Sequence, residues 1–239
     1  MQIDGSTALV TGANRGLGAR LVDQLLRAGA AKVYVTARDP HAVRADVASD
    51  ERTQVLRLDV TDSKSIEDAA AVASDVNLLI NNAGVLGFGD VLAGDIDLFE
   101  RDVAVNYLGA LRVTRAFVPV LEKNAPSAIA NVLTLIALAP VGPMAGYSAS
   151  KAAAHSMTQA VRAAVGSRGI EVVGVYAGGI DTDMLAGVDA VKAAPETVAA
   201  RVIAGIAAGD AVVWPDDASA AAGSVYLADP LQLERMLAG

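Results

Sequence analysis

Thr7-Ala8-Leu9-Val10-Thr11-Gly12-Ala13-Asn14-Arg15-Gly16-Leu17-Gly18 decides the reading of this chain. Thr7–Val10 is a short apolar run, which predicts a buried strand. Leu17, Leu21, Leu25 and Ala28 then recur at helical spacing, and Gly29 supplies a stop. Between strand and helix the glycines follow a Gly-x3-Gly-x-Gly pattern. Glycine there permits a tight turn and lets a pyrophosphate approach the backbone, while the helix N-terminus offers unpaired N–H groups to the anion. The position of the turn strengthens a pattern that is weak by itself. A mononucleotide P-loop is disfavoured, because no Gly-Lys-Ser/Thr closes the turn.

Strand and helix patterns alternate outward from that turn. Strands are expected at Lys32–Thr36, Gln54–Leu58, Asn77–Ile80, Ser127–Leu133, Ile170–Tyr176 and Ala211–Trp214. Helices are expected from Gly16 to Ala28, from an Asp62 cap to about Ser74, from Phe99 to Glu122 in one or two pieces, from Tyr147 to Ser167, and from Pro195 to Ala208. Several strands are apolar at every position. This predicts an α/β fold: a Rossmann-like, doubly wound, seven-stranded parallel sheet with helices on both faces. No linker or composition shift divides the chain, so residues 1–239 read as one domain.

Composition narrows the chemistry. With 239 residues, 53% of them hydrophobic, the chain can bury a sizeable core. It has no Cys and only His41 and His155, which excludes a thiol nucleophile and a multi-His metal site. Asp181 and Asp183 lack further ligands, so no metal is expected. The net charge of −8 argues against nucleic acid as a partner. Residues 124–150 carry no charge, yet Pro126, Pro140, Gly142, Pro143 and Gly146 break them. A buried strand and shielded loop are expected rather than a membrane span. The first residues, Met1–Gly5, have neither a basic nor an apolar leader pattern, and a cytoplasmic location is expected.

The second strand ends Thr36-Ala37-Arg38, where an acid would bind a ribose 2′-hydroxyl. Arg38 here and Arg15 in the glycine turn suit a 2′-phosphate, so NADP(H) is the expected cofactor. Tyr147 and Lys151 are four apart on a predicted helix and share a face. An ammonium near a phenol lowers its pKa from the ordinary value of about 10. Such a tyrosine can give a proton to a carbonyl oxygen or take one from an alcohol.

These motifs, in this order, resemble the single-domain short-chain dehydrogenase/reductase family along nearly the whole chain. Thr11–Gly18 resembles its cofactor turn, with Gly12, Asn14, Arg15, Gly16, Leu17 and Gly18 as binding residues. Leu58-Asp59-Val60 is similar to its adenine-contacting segment. Asn81-Asn82-Ala83-Gly84 matches the motif that steadies the central sheet beside the cofactor. The resemblance makes Asn106 the catalytic Asn, which holds a water of a proton relay, and Tyr147/Lys151 the Tyr-x-x-x-Lys pair, with Lys151 on the nicotinamide ribose. Gly179-Ile180-Asp181-Thr182 resembles the nicotinamide-end segment, shortened by one position.

Two departures stand out. Thr134 occupies the place of the usual catalytic Ser, keeping a hydroxyl to donate to the substrate oxygen but adding a methyl. Gly178 replaces a usual Pro, so the segment after it is expected to be mobile. The function implied is an oxidoreductase passing hydride between NADP(H) and an uncharged ketone, aldehyde or secondary alcohol. Leu135, Met144, Ala145 and Met184–Val188 would line its pocket. Alternatives are an NADP(H)-binding sensor or scaffold with weak catalysis, and a relative using Tyr/Lys for dehydration or epimerisation. Family members commonly assemble as tetramers, so a homo-oligomer is expected. His155 and Trp214 read as packing or interface residues, and His41 as solvated.

Overall fold

A computed structural model describes residues 1–238. Seven strands form one parallel sheet in the order β3-β2-β1-β4-β5-β6-β7. They are β1 (Thr7–Val10), β2 (Lys32–Ala37), β3 (Thr53–Arg57), β4 (Leu78–Asn81), β5 (Ser127–Thr134), β6 (Ile170–Ala177) and β7 (Val212–Val213). The helices are α1 (Gly16–Arg27), α2 (Ala45–Ala48), α3 (Ser63–Val72), α4 (Ile96–Asp102), α5 (Ala110–Lys123), α6 (Ala145–Val165), α7 (Pro195–Ala208), α8 (Asp217–Ala228) and α9 (Pro230–Ala238).

Period-two alternation places the core on both sides of the sheet. Ala8 and Val10 of β1 join Leu78 and Ile80 of β4 against Leu21 and Leu25 of α1 and Val202 and Ile206 of α7. Leu9 and Leu79 point the other way, toward Ile66 of α3 and Val113, Phe117 and Leu121 of α5. This two-faced burial is why those strands are apolar throughout.

The elements follow the sequence pattern within a few residues, with several differences. Asp62 does cap α3, accepting from the backbone N–H of Lys64 and Ser65. The long helix expected from Phe99 begins earlier, at Ile96, because Asp95 caps it. It comes in two pieces, α4 and α5, joined by a π-helical segment, Val103–Gly109. The short helix α2 has no counterpart among the expected helices. The tail, in which no helix is expected, forms α8 and α9. Leu233 is fully buried there beside Leu135, Ala139 and Ala222. Uncharged residues 124–150 become β5, a 3-10 turn at Leu135–Ala137 and the start of α6. Among the described residues no helix is long and apolar enough to cross a membrane.

Phe117 is completely buried. Phe117→Ala should cost about 3–5 kcal/mol of stability, read as a lower midpoint of denaturant unfolding. Leu92, 94% exposed, provides the control: Leu92→Ala should change stability by less than about 0.5 kcal/mol.

Candidate active site

The strand order reverses between β1 and β4, and the carboxyl ends of these two strands open the crevice where ligands bind in such sheets. Thr11 closes the junction. Its hydroxyl accepts from the N–H groups of Asn82 and Ala83, each at 2.9 Å. The Asn82 amide donates to the carbonyls of Thr11 at 2.9 Å and Gly12 at 3.1 Å. Gly12 has φ +64°, and a Cβ on it would stand 2.9 Å from Ala83 Cα. Only glycine lets the turn and the Asn82–Gly84 segment approach so closely.

Helix α1 starts at Gly16 with Arg15 as N-cap. No side chain caps it, and no acid lies in its first turn. Its first N–H groups therefore remain available to an anion, and the donor set fits a dinucleotide pyrophosphate. Thr182, at the end of the Gly179–Thr182 segment, borders Gly16: a Cβ there would meet the Thr182 methyl at 3.5 Å. Leu17 and Gly18 are buried in the same turn, and Asn14 is half-buried.

The predicted residues at the far end of the crevice also converge. Tyr147 and Lys151 lie on one face of α6, with Lys151 Nζ 5.8 Å from the Tyr147 ring centroid. Lys151 is 5% exposed and donates to the Val132 carbonyl at 2.7 Å. A side chain at Gly84 would meet Asn106 Oδ1 at 3.1 Å and Lys151 Nζ at 3.7 Å, so all three residues face one small space. Asn106 sits in the π-helical segment, a backbone irregularity frequent at functional sites. Its amide donates to the Val85 carbonyl and to Ser150 Oγ, and its Oδ1 accepts from Val85 N–H, each at 2.9 Å. Val60 packs on the same segment at Gly109.

Some expected arrangements differ. Arg15 and Arg38 sit in different surroundings. Arg15 pairs with Asp183 at 3.1 Å across the mouth of the crevice. Arg38 is exposed, makes no ion pair among the described residues, and lies near Asp59. Asp39 caps a 3-10 turn by accepting from His41 N–H, and no Arg38–Asp39 ion pair forms among the described residues. Burial would raise the Asp59 carboxyl, but hydrogen bonds from Thr61 and the charges of Arg38 and Arg57 hold it below its ordinary value.

The Tyr147 phenol is shifted upward rather than downward. Burial pushes the phenol upward, and the negative charge of Asp102 adds to this. Burial lowers the Lys151 ammonium to about 8, with Asp102 opposing the shift. Thr134 is 8% exposed and its hydroxyl donates to the Ala177 carbonyl at 3.1 Å. Donation to a substrate oxygen therefore requires the proton to rotate away from Ala177. Gly178 N–H donates to Asp216 Oδ2 at 2.9 Å. The segment after it is tied at its base: Asp181 N–H donates to the Ala193 carbonyl, and Ala193 N–H to that of Gly179. His155 Nδ1 lies 2.6 Å from the Tyr176 hydroxyl, and Tyr176 stacks on Trp214.

Sequence reasoning missed Asp102 and Asp216. Asp102 is fully buried and accepts from Gly87 N–H at 2.9 Å. Nothing in its local pattern separates it from a solvated helical acid. Asp216 had a readable signal, since Asp216 and Ser219 have capping-box spacing before an Ala-rich run.

The comparisons with known proteins agree with this architecture. The family model for short chain dehydrogenase matches residues 6–193, well over half of the chain. Among curated relatives, short chain dehydrogenase pigC of Monascus ruber is 34% identical over 78% of this chain and 66% of its own length. Estradiol 17-beta-dehydrogenase 2 of Rattus norvegicus is 31% identical over 79% of this chain and 52% of its own. The chain thus spans about half to two thirds of these relatives. A short chain dehydrogenase from Burkholderia cenocepacia J2315, solved in complex with NADP, superposes with a TM-score of 0.93 at 38% identity and 99% coverage of both chains. A short chain dehydrogenase/reductase from Burkholderia phymatum, in complex with NAD, reaches 0.86 at 22% identity, covering 97% and 96% of the two chains, a likeness of fold alone. With its sheet, its switch-point crevice and this match over most of its length, the chain belongs to the short-chain dehydrogenase/reductase family of oxidoreductases.

Proposed function

We propose that this protein is an NADP(H)-dependent oxidoreductase interconverting a small, mostly apolar ketone or aldehyde with its alcohol. The observation that carries the reading is the half-buried Tyr147 one helical turn from the buried Lys151, which borders Gly84 at the end of a crevice that begins with an uncapped helix. A bound nicotinamide would supply or accept the hydride. Gly12, Asn14, Arg15, Gly16, Leu17 and Gly18 would hold the pyrophosphate end, Asp59 and Val60 the adenine, and Asn82, Ala83, Gly84, Gly179, Ile180 and Thr182 the nicotinamide end. Tyr147, kept protonated by burial, is in the form that gives a proton to a carbonyl oxygen. Lys151 and Asn106 border it, and Thr134 would steady the substrate oxygen.

The lining supports an uncharged substrate. Leu135 is buried, Met144 and Ala145 are half-buried, and Lys192 is engaged with the Leu185 carbonyl at 3.0 Å. Ala37 at the end of β2 offers no acid to a ribose 2′-hydroxyl, and the exposed Arg38, without an ion pair among the described residues, can meet a 2′-phosphate. The NADP complex of the B. cenocepacia protein supports the same choice. The exposed Leu227, Leu231 and Met236 on α8 and α9 suit a homo-oligomer, which sedimentation would read.

Steady-state assays over a panel of simple ketones and aldehydes test the reading. NADPH should be preferred over NADH by about ten- to hundredfold in kcat/KM, as a charge-assisted contact supplies. Arg38→Asp should reverse the preference. Equal or better use of NADH would refute the cofactor assignment, and no turnover across the panel would refute the reaction class. Asp102→Asn keeps an acceptor for Gly87 N–H but removes a negative charge that opposes deprotonation of Tyr147 and favours the Lys151 cation. The alkaline limb of the pH–rate profile should therefore move to lower pH, and an unmoved limb would contradict this electrostatic account.

A further inference from the structure

One peptide unit, Ala177–Gly178, is held from both sides. Its carbonyl accepts from the Thr134 hydroxyl at 3.1 Å, and its N–H donates to Asp216 Oδ2 at 2.9 Å. In a planar trans peptide these two groups point in opposite directions. A swing of the plane would break both bonds together. Asp216 is itself fixed: it is 4% exposed, caps α8, and its Oδ1 accepts from Ser219 N–H at 2.8 Å. Each carboxylate oxygen thus has its own N–H donor. A Cβ on Gly178 would stand 2.9 Å from Asp216 Oδ1, so glycine, not proline, suits this clamp both in space and as an N–H donor.

We propose that Asp216 is a positioning residue for Thr134, acting through the Ala177–Gly178 peptide. The proposal rests on the reading in which Thr134 meets the substrate oxygen. The carboxylate orients and polarises the peptide, and the Ala177 carbonyl then selects one position for Thr134 Oγ1. Rotation about the Cβ–Oγ1 bond turns the proton from Ala177 to a substrate oxygen without moving the hydroxyl oxygen. The cost of placing that oxygen is thereby met during folding rather than at each turnover.

A double-mutant cycle on the full chain tests this. Asn at 216 offers one acceptor oxygen where Asp offers two, so Asp216→Asn keeps the α8 cap or the Gly178 bond but not both. It should lower kcat about tenfold, corresponding to one lost charge-assisted bond, with the cofactor KM unchanged. Thr134→Val should lower kcat about a hundredfold. In the Thr134→Val background, Asp216→Asn should then cost less than about twofold further. A full tenfold loss in both backgrounds would overturn the proposal, because a merely structural effect adds. Gly178→Pro, which removes the N–H that donates to Asp216, should also lower kcat, and an unchanged kcat in that variant would overturn the proposal. The Gly178 amide resonance reads the coupling without turnover. Both Asp216→Asn and Thr134→Val should move it, and an amide unmoved by Thr134→Val would overturn the coupling. If the parent turned over no carbonyl compound but both variants moved that resonance, the clamp would stand and the proposed reaction would fall.

Discussion

The Thr11 hydroxyl joins the two halves of the sheet at the point where everything else is assembled. It receives two N–H groups from Asn82 and Ala83 and gives its proton toward the Ile80 carbonyl, so its hydrogen-bonding capacity is filled. That joint brings the glycine turn against the Asn82–Gly84 segment. Gly84 in turn borders Asn106 and Lys151. The glycine turn and the Tyr147/Lys151 end of the crevice are therefore spaced by one buried side chain of 1% exposure.

Burial governs the electrostatics of the far end. It opposes charge on both Tyr147 and Lys151, which favours a neutral phenol and weakens the ammonium. Asp102, buried and held by Gly87 N–H, pulls against the second effect. A polar chain crosses the same region, from Thr114 on α5 through Asn81 and Asn131 to Thr158 on α6. The Asn81 amide nitrogen supplies both of its bonds in this chain, while its Oδ1 has no partner among the described residues, so the network ties the helices to the sheet without being fully satisfied.

The elements that repeat a simple pattern were readable in advance. β1, the glycine turn and α1 are fixed by local periodicity and by the backbone freedom of glycine, and the Tyr147/Lys151 face follows from helical spacing. What escaped reading depends on partners far away in sequence. Arg15 pairs with Asp183, 168 residues on, a partner its place in the glycine turn does not reveal. Gly178 alone suggests slackness, and only Asp216, thirty-eight residues on, shows it to be held. The π-helical segment has no local signature. The amphipathic signal of α8 is weak, because alanine tolerates both faces.

Tyr147→Phe tests the central proposal, that this phenol carries the proton while most of the cofactor's hold comes from the glycine turn and the Asn82–Gly84 segment. The ring and its packing stay while the hydroxyl is lost. NADPH affinity, followed by its fluorescence, should remain within about threefold, whereas turnover of a ketone substrate should fall by at least about a hundredfold. Turnover within tenfold of the parent would contradict the account.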